Sequence, residues 1–329
     1  MRVNKILIVL GEPQSTFSEI LLKYFYSKEF LKNKTKIILI GSIILFEKQM
    51  KKLKFNFNLR KIINLEEAEF NKLNILNVNY NNQKIFSKIS SNSKKYITQC
   101  FKIGLDQIKN NEKIAFVNGP ISKKHFLKKK YLGVTEYISK KTKSKNQVML
   151  IYNDKLSVSP ITTHLPLKHV TKNISKKKII KNVRQIKNFY ENFLKKNPKI
   201  AILGLNPHCE TVDNFNEEKK IIIPAINFLK KININIDGPF SADTFFLQKN
   251  INKYDVVVGM YHDQVLTPIK TLYKFNAINI TVGLPFLRIS PDHGPNNIML
   301  GKNESDPSSI FYAMKFINKI KWKSLLKKV

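Results

Sequence analysis

Short apolar segments rich in β-branched residues alternate with longer segments of helical pattern, and this alternation restricts the fold more than any other feature. Within the short segments the apolar residues are nearly continuous, as in strands that are buried on both faces. Such strands, separated by helices, are typical of a mostly parallel sheet covered on both sides. We predict an α/β fold with strands at 5–10, 36–40, 114–117, 148–152, 200–205, 256–259 and 277–281, and amphipathic helices at 178–195, 216–232 and 308–326.

Two stretches limit this fold further. Residues 64–93 are rich in Asn and Lys and weakly patterned, so we predict irregular surface structure there. Gly11-Glu12-Pro13 follows the first predicted strand, but residues 14–18 supply no further glycine. The GxGxxG fingerprint is therefore absent, which disfavours a standard Rossmann dinucleotide site.

The composition fits two domains in a reducing compartment. A chain of 329 residues suffices for two domains of roughly 100–200 residues each. No apolar stretch reaches the ~18–20 residues that a membrane span needs, and the first apolar run ends in Gly-Glu-Pro, as expected of a buried strand rather than a signal peptide. Two cysteines, Cys100 and Cys209, make no disulfide framework, so we expect a cytoplasmic protein.

The net charge of +35 raises the alternative of a nucleic-acid-binding protein on such a fold. Only four of the 58 basic residues are Arg, and the lysines are spread along the chain with many Asn and Ile residues, which indicates a genome rich in A and T. We expect most of these lysines on solvated faces and no specific nucleic-acid partner. An even scatter of lysines would favour this explanation, and a single basic stripe would favour nucleic-acid binding.

Three histidines, His164, His208 and His262, each follow an apolar run that is predicted as a strand. Ligands of open α/β sheets bind at strand ends, and neutral imidazole is the commonest side-chain metal ligand. Three protein ligands with one open position make a catalytic metal site. A lone histidine is more often structural, and Cys209, directly after His208, is better explained as a small side chain than as a ligand.

The block YDVVVGMYHDQVLTPIKTLYKFNAINITVGLPFLRISPDHG, residues 254–294, resembles the C-terminal signature of the 4-hydroxythreonine-4-phosphate dehydrogenase family of vitamin B6 synthesis. Five further motifs are similar to that family and occur in its order. They are FVNGPISKKHF (116–126), GVTEYIS (133–139), TTHLPLKHV (162–170), GLNPH (204–208) and GPFSADTFF (238–246).

The resemblance implies an isocitrate/isopropylmalate dehydrogenase-like fold, with two α/β/α domains and a cleft between them, that binds NAD or NADP without the glycine fingerprint. The first domain, on the cofactor side, is expected at 1–118 plus 265–329, and the second, on the metal and dimer-interface side, at 119–264. It also implies a homodimer with a shared active site, in which His262 reaches the metal held by His164 and His208 of the other subunit.

The implied reaction oxidises 4-phosphooxy-L-threonine at C3 to a 3-oxo acid, which loses carbon dioxide to give 3-amino-2-oxopropyl phosphate. By the resemblance, His164, His208 and His262 hold one divalent metal, Zn, Mg or Co, which would lower the pKa of the substrate hydroxyl. Asp263 would orient His262 or add to the metal shell, although a turn or helix cap explains it too. Asp243 is a candidate for proton transfer, or equally a helix cap.

Four residues match substrate-binding positions of the family: Thr135, Lys270, Asn279 and Arg288. Arg288 has a reason of its own, because an Arg in a chain that uses Lys almost everywhere indicates a site that needs a planar, bidentate fork. The loop that approaches the NAD adenosine in this fold is matched by the cofactor-binding candidates Asp292, His293, Gly294 and Asn296, which would also suit a tight surface turn.

The chain departs from the family at one substrate contact. Val134 replaces the histidine of the usual Gly-His-Thr-Glu motif, and Val can neither donate a hydrogen bond nor carry charge. Two loops also differ, at residues 14–18 and 209–211. A related dehydrogenase acting on another phosphorylated hydroxy acid, such as a phosphothreonate or phosphoerythronate, therefore stays an alternative.

Overall fold

The computed structural model describes residues 3–81, 84–109, 113–127, 131, 133–274, 276–291 and 294–320. Within them the strands are β1 Lys5–Val9, β2 Lys36–Gly41, β3 Leu59–Ile62, β4 Leu73–Asn77, β5 Ile114–Asn118, β6 Val148–Tyr152, β7 Ser157–Thr162, β8 Ile200–Leu203, β9 Ile236–Phe240, β10 Val256–Tyr261, β11 Ile278–Val282 and β12 Arg288–Pro291. The α-helices are α1 Phe17–Phe25, α2 Lys28–Leu31, α3 Ile43–Lys52, α4 Lys94–Ile108, α5 Val134–Lys141, α6 Lys176–Phe189, α7 Ile223–Lys231, α8 Ala242–Phe245, α9 Gln248–Ile251, α10 His262–Tyr273 and α11 Ser308–Lys319.

The two ends of the chain form one compact unit, Met1–Lys143 together with Pro285–Val329. Its strands lie in the order β3-β4-β2-β1-β5-β12, and each pairs in parallel with its neighbour. Every residue of β1 and β5 is buried, as the continuous apolar runs predicted. Strand β12 brings the C-terminal segment beside β5, with Arg288 in register with Phe116.

The middle of the chain, Ser144–Leu284, forms the second compact unit. Its strand order is β11-β6-β7-β10-β8-β9. Strand β6 is antiparallel to both β11 and β7, whereas β7, β10, β8 and β9 run parallel. Since β7, β10 and β8 are parallel neighbours, their carboxyl ends meet at one edge of the sheet.

The seven predicted strands are all present, and the sheet is mostly parallel, as predicted. Helix α6 begins two residues before its predicted start because the Ser175 Oγ accepts the Lys178 N–H at 3.3 Å and caps the helix there. Helix α11 ends at Lys319, and positions 321–326 of that predicted helix lie outside the described residues. The domain boundaries expected near residues 118 and 264 stay a prediction.

The prediction of irregular structure over residues 64–93 was wrong for β4, which is a buried strand between β2 and β3. Its centre is polar: Asn74 is completely buried, and its Nδ2 donates to the carbonyls of Ile37 and Glu69 at 3.0 and 2.9 Å. One of these hydrogen bonds, to Ile37 of β2, is long-range, and together they satisfy a side chain that the local pattern assigns to the surface. No helix in the described part of the chain is long and apolar enough to cross a membrane.

Candidate active site

Two of the three candidate histidines come together at the carboxyl edge of the second unit's sheet. Strand β7 ends at Thr162 and β10 at Tyr261, and these two residues are partners in the parallel register. His164 follows β7 by two residues and His262 is the first residue of α10, so both side chains emerge at neighbouring strand ends. Their ring centroids lie 5.7 Å apart, at an interplanar angle of 37°.

This spacing suits two ligands of one metal ion. Imidazoles that bind a tetrahedral zinc ion at about 2.0–2.1 Å have ring centres roughly 5 Å apart. His164 and His262 therefore supply two nitrogen ligands at a spacing that fits one divalent metal ion. Among the described residues, however, no group of three or more His, Cys, Asp or Glu side chains has a spacing that could hold an ion.

Within one chain, the third histidine, His208, does not group with His164 and His262. It lies in the loop after β8, its side chain is 77% exposed, and its Nδ1 is 4.0 Å from Asp243 Oδ2. Asp243 also accepts a hydrogen bond from Ser241 Oγ at 2.8 Å, and this bond, followed by smaller effects that include His208, lowers the pKa of the Asp243 carboxyl. The structure thus places Asp243, a candidate for proton transfer, beside a candidate ligand and keeps it ionised at neutral pH.

The expected division of the histidines between subunits stays a prediction. The family resemblance implies that His262 serves a site with His164 of the other subunit, but the two rings are neighbours within one chain. The reason is the sheet, in which β7 and β10 are adjacent parallel strands that end at the same level.

Asp263 contacts the ring of His262. The Asp263 Oδ1 lies 2.7 Å from His262 Nδ1, so a proton on Nδ1 can be shared with the carboxylate. Occupying Nδ1 leaves Nε2 as the nitrogen able to bind a metal, and a carboxylate at this position raises the basicity of the ligand. The orienting role that the sequence suggested for Asp263 agrees with this contact.

The backbone at two of these histidines is left-handed. His164 has φ 49° and His208 has φ 54°, a region that residues other than glycine rarely occupy. Such conformations persist only where surrounding contacts hold them, and they cluster at functional sites. Neither could be recognised from the sequence, since histidine has no strong signature for this conformation.

In the first unit, Arg288 and Thr135 come together although 153 positions separate them. Arg288 is 2% exposed, its Nε donates to Asn118 Oδ1 at 2.8 Å, and its Nη1 donates to Thr135 Oγ1 at 3.2 Å. Burial lowers the pKa of Arg288 to about 10, against the opposing effect of Glu136, so the guanidinium stays charged at neutral pH. Two of the four predicted substrate-binding residues therefore share one cluster.

Sequence reasoning missed Asn118 and Glu136. Asn118 ends the otherwise apolar strand β5, and this polar residue at a strand end was the available signal. Glu136 lies next to Thr135 in the first turn of α5, and its buried Oε2 has no hydrogen-bond partner among the residues that the structure describes. An unsatisfied buried carboxylate oxygen beside a buried arginine is the kind of group that a ligand or water completes.

The other predicted substrate-binding residues lie in the second unit. Lys270 is exposed on α10. Asn279 is half-buried on β11, and its Oδ1 is buried with no hydrogen-bond partner in the described part of the chain. In the candidate cofactor loop, Gly294 has open space around its Cα, and Asn296 has a left-handed φ of 48°. Asp292 and His293 lie outside the described residues.

These features define a fold class, the two-unit α/β fold of isocitrate dehydrogenase, here without a glycine fingerprint. The isocitrate dehydrogenase from Methylococcus capsulatus superposes with a TM-score of 0.51 at 10% identity, over 95% of this chain and 84% of that chain. This likeness concerns the fold alone, and it confirms the predicted fold class.

Within that class the family is specific. Residues 33–317 match the family described as pyridoxal phosphate biosynthetic protein PdxA, and the chain belongs to it. It is 37% identical over 314 residues to the 4-hydroxythreonine-4-phosphate dehydrogenase of Sulfurihydrogenibium sp. strain YO3AOP1, with 94% of this chain and 96% of that protein covered. It is 30% identical over 306 residues to the D-threonate 4-phosphate dehydrogenase of Salmonella typhimurium, covering 89% and 92% of the two chains.

A solved structure agrees with the assignment at the level of the fold. The crystal structure of a 4-hydroxythreonine-4-phosphate dehydrogenase from Burkholderia phymatum superposes with a TM-score of 0.80 at 24% identity, over 98% of this chain and all of that chain. The family predicted from the sequence motifs is therefore confirmed, and the chain is an oxidoreductase of the kind that acts on a CH–OH group.

Proposed function

We propose that this protein oxidises 4-phosphooxy-L-threonine at C3, with NAD or NADP and a divalent metal, in the synthesis of pyridoxal phosphate. The 3-oxo acid formed then loses carbon dioxide to give 3-amino-2-oxopropyl phosphate. The observation that carries the proposal is the pair of imidazoles, His164 and His262, set 5.7 Å apart at adjacent strand ends in a chain of the PdxA family.

When bound, the metal would polarise the C3 oxygen and the nicotinamide would accept a hydride from C3. His164, His262 and His208 would hold the metal, with Asp263 fixing the His262 ring through Nδ1. Asp243 is ionised at neutral pH and would accept the C3 hydroxyl proton. In the loss of carbon dioxide, the bond between C2 and the carboxylate carbon breaks, its electron pair moves to the new ketone oxygen, and a proton then added at C2 restores the ketone.

Charged and polar groups would hold the rest of the substrate. The Arg288 guanidinium, buried and charged, suits a phosphate or carboxylate, and Thr135 shares its cluster. Lys270 offers a second positive charge, and Asn279 offers an unpaired amide oxygen for a donor such as the substrate amine. Gly294 and Asn296 would approach the cofactor adenosine, because an uncrowded glycine permits close contact.

The proposed metal site also has a consequence for the oligomeric state. We propose a homodimer in which His208 of one subunit completes the His164–His262 pair of the other, since one chain's described residues do not bring the three together.

The two cysteines, Cys100 and Cys209, are free, which supports a cytoplasmic protein. Exposed lysines lie on helices of both units, such as α3, α4, α6 and α7, which supports composition rather than nucleic-acid binding as the source of the charge.

A second substrate, D-threonate 4-phosphate, is favoured by one observation. Val134, in the first turn of α5 beside Thr135, offers no polar group where the family motif has histidine. A substrate whose structure differs near Val134 would lose the least binding from the absence of the family's histidine. The relative named for D-threonate 4-phosphate matches most of the chain.

The test is nicotinamide reduction by the purified protein with each phosphorylated substrate, with NAD and with NADP, before and after chelator treatment. We expect reduction with 4-phosphooxy-L-threonine that the chelator abolishes and added divalent metal restores. The unphosphorylated analogue is the control and should react poorly. Faster turnover of D-threonate 4-phosphate would establish the second substrate, and activity that survives complete metal removal would refute the metal-dependent mechanism.

A further inference from the structure

The histidine-bearing segments are exposed and their backbones are left-handed at His164 and His208, so other groups must hold them in place. Buried and part-buried hydrogen bonds at the ends of β7, β10 and β8 do this. Thr162 Oγ1, two residues before His164, donates to the Met260 carbonyl at 2.8 Å. The bond ties the end of β7 to the end of β10, directly before the two paired histidines.

Gln264 continues the connection from β10 to β8. Its Oε1 accepts the Met260 N–H at 2.7 Å, and its Nε2 donates to the Gly204 carbonyl at 2.8 Å. Gln264 is two residues after His262 and Gly204 is four residues before His208. One amide side chain thus links the segment of His262 to the segment of His208, using both its acceptor and its donor.

Glu218 holds the rest of the His208 segment. It is 1% exposed, its Oε1 accepts the N–H groups of Leu205 and Asn206 at 2.7 and 2.8 Å, and its Oε2 accepts Asn206 Nδ2 at 2.9 Å. Burial raises the pKa of Glu218, but these hydrogen bonds outweigh it and leave the pKa below its usual value. The ionised carboxylate therefore fixes the positions of Leu205 and Asn206, the two residues that precede Pro207 and His208.

We infer that Glu218 and Gln264 are positioning residues of the metal site, which set its affinity without touching the metal. Together with Thr162 they make a continuous set of hydrogen bonds from the His164 strand through the His262 strand to the His208 loop. Loss of either side chain frees the His208 segment. The inference rests on the proposed metal site.

The experiment measures the dissociation constant for Co²⁺ or Zn²⁺ by competition with a chromophoric chelator, on metal-stripped full-length protein. Residues that orient metal ligands typically change affinity by about 10–100-fold when lost. We expect that range for Glu218→Ala and for Gln264→Met, which keeps the side-chain length and removes both hydrogen bonds. Glu218→Gln retains an acceptor for the two N–H groups and should recover most of the affinity.

Controls separate positioning from folding and from failure of the metal site itself. Glu191→Ala makes the same change of charge at a part-buried i,i+4 ion pair with Lys187 and should bind metal as the unmodified protein does. Thermal unfolding of each metal-free variant reports whether it is folded. If Glu218→Ala does not fold, Glu218→Gln and Gln264→Met still test the inference.

Two outcomes would overturn different statements. If His208→Ala loses metal affinity while Glu218→Ala and Gln264→Met, both folded, bind metal normally, the positioning inference is refuted and the metal site stands. If His208→Ala itself binds metal normally, the proposed ligand set is wrong and the inference falls with it. If the Glu218 and Gln264 variants lose the spectroscopic signature of bound Co²⁺ in parallel with their metal affinity, this supports the inference independently of turnover.

Discussion

At the scale of single residues, the most informative side chains are charged groups that the fold buries. Arg288 keeps its charge because Asn118 and Thr135 accept its hydrogen bonds and Glu136 lies nearby. Glu12, in the turn after β1, is 1% exposed and accepts a hydrogen bond from Ser93 Oγ at 3.2 Å. Burial opposes the charged form of both groups, but Arg288 stays charged at neutral pH whereas the pKa of Glu12 is raised to about 7, so each predicts a different measurement.

Arg288→Lys should lower kcat/KM for the phosphorylated substrate by about 10- to 150-fold, because a hydrogen bond to a charged group contributes about 1.5–3 kcal/mol and Lys cannot form the fork. Steady-state kinetics check this, with thermal unfolding to confirm that the variant is folded. Arg184→Lys, the same exchange at an exposed arginine of α6, is the matched control. An Arg288→Lys enzyme as efficient as the unmodified one would contradict a role in substrate binding.

Glu12 predicts a pH dependence of stability. Burial raises its pKa to about 7 from the usual 4.5, against hydrogen bonds from Gln14 and Ser93 that lower it. A raised carboxyl pKa favours the protonated folded state, so this contribution is complete below pH 4.5 and is lost as the pH rises through 7. Glu12→Gln mimics the protonated form and should add up to about 3 kcal/mol of stability at pH 8 and almost none at pH 4.5. Denaturant unfolding at both pH values measures it; an equal effect at both would be inconsistent with the shift.

At the scale of elements, the ends of β7, β10 and β8 form one structure because short polar contacts connect them and small residues let the segments approach. Gly204 is an example: a Cβ there would lie 2.6 Å from Cys209 Sγ and 3.2 Å from Glu218 Oε1. The turn that carries His208 folds back over the end of β8, and only glycine leaves room for it.

Gly204→Ala should therefore destabilise the protein by about 1–3 kcal/mol, the usual cost of overpacking, and weaken metal binding. Because Cys209 Sγ is the closest atom, the double variant Gly204→Ala, Cys209→Ala should recover much of the loss. Urea unfolding of the two variants and of Cys209→Ala alone gives the coupling. Purely additive effects would show that the crowding at Cys209 does not control this turn.

At the scale of the whole molecule, the question is which subunit supplies each histidine. His164 and His262 lie together in one chain, and His208 does not join them within the described residues. If a homodimer shares its sites as proposed, His208 is the residue that crosses between subunits. Symmetric dimers make this testable, because two different defects can be combined in one dimer.

Co-expression of His208→Ala and His262→Ala chains should restore activity to about a quarter of normal, since half of randomly assorted dimers are mixed and each has one intact site. Co-expression of His164→Ala and His262→Ala chains should restore none, because both residues belong to the same half-site. Dimers verified as mixed by tags are assayed for turnover and bound metal. Recovery in the second mixture would place His164 and His262 on different chains. Failure of both mixtures would place all three histidines on one chain.

The sequence by itself determined the apolar strands, the mostly parallel sheet and the motifs that mark the family, because burial of continuous apolar runs is a local property. It could not predict β4, whose buried Asn74 depends on the Ile37 carbonyl of β2, or the antiparallel direction of β6, which follows from pairing and not from its residues. The cluster of Arg288 with Asn118 spans 170 positions, and Glu218 and Gln264 reach the His208 segment across the sheet. Only the tertiary structure decided these contacts, since a hydrogen-bond partner is set by which strands become neighbours, and that choice is made by the packing of the whole chain.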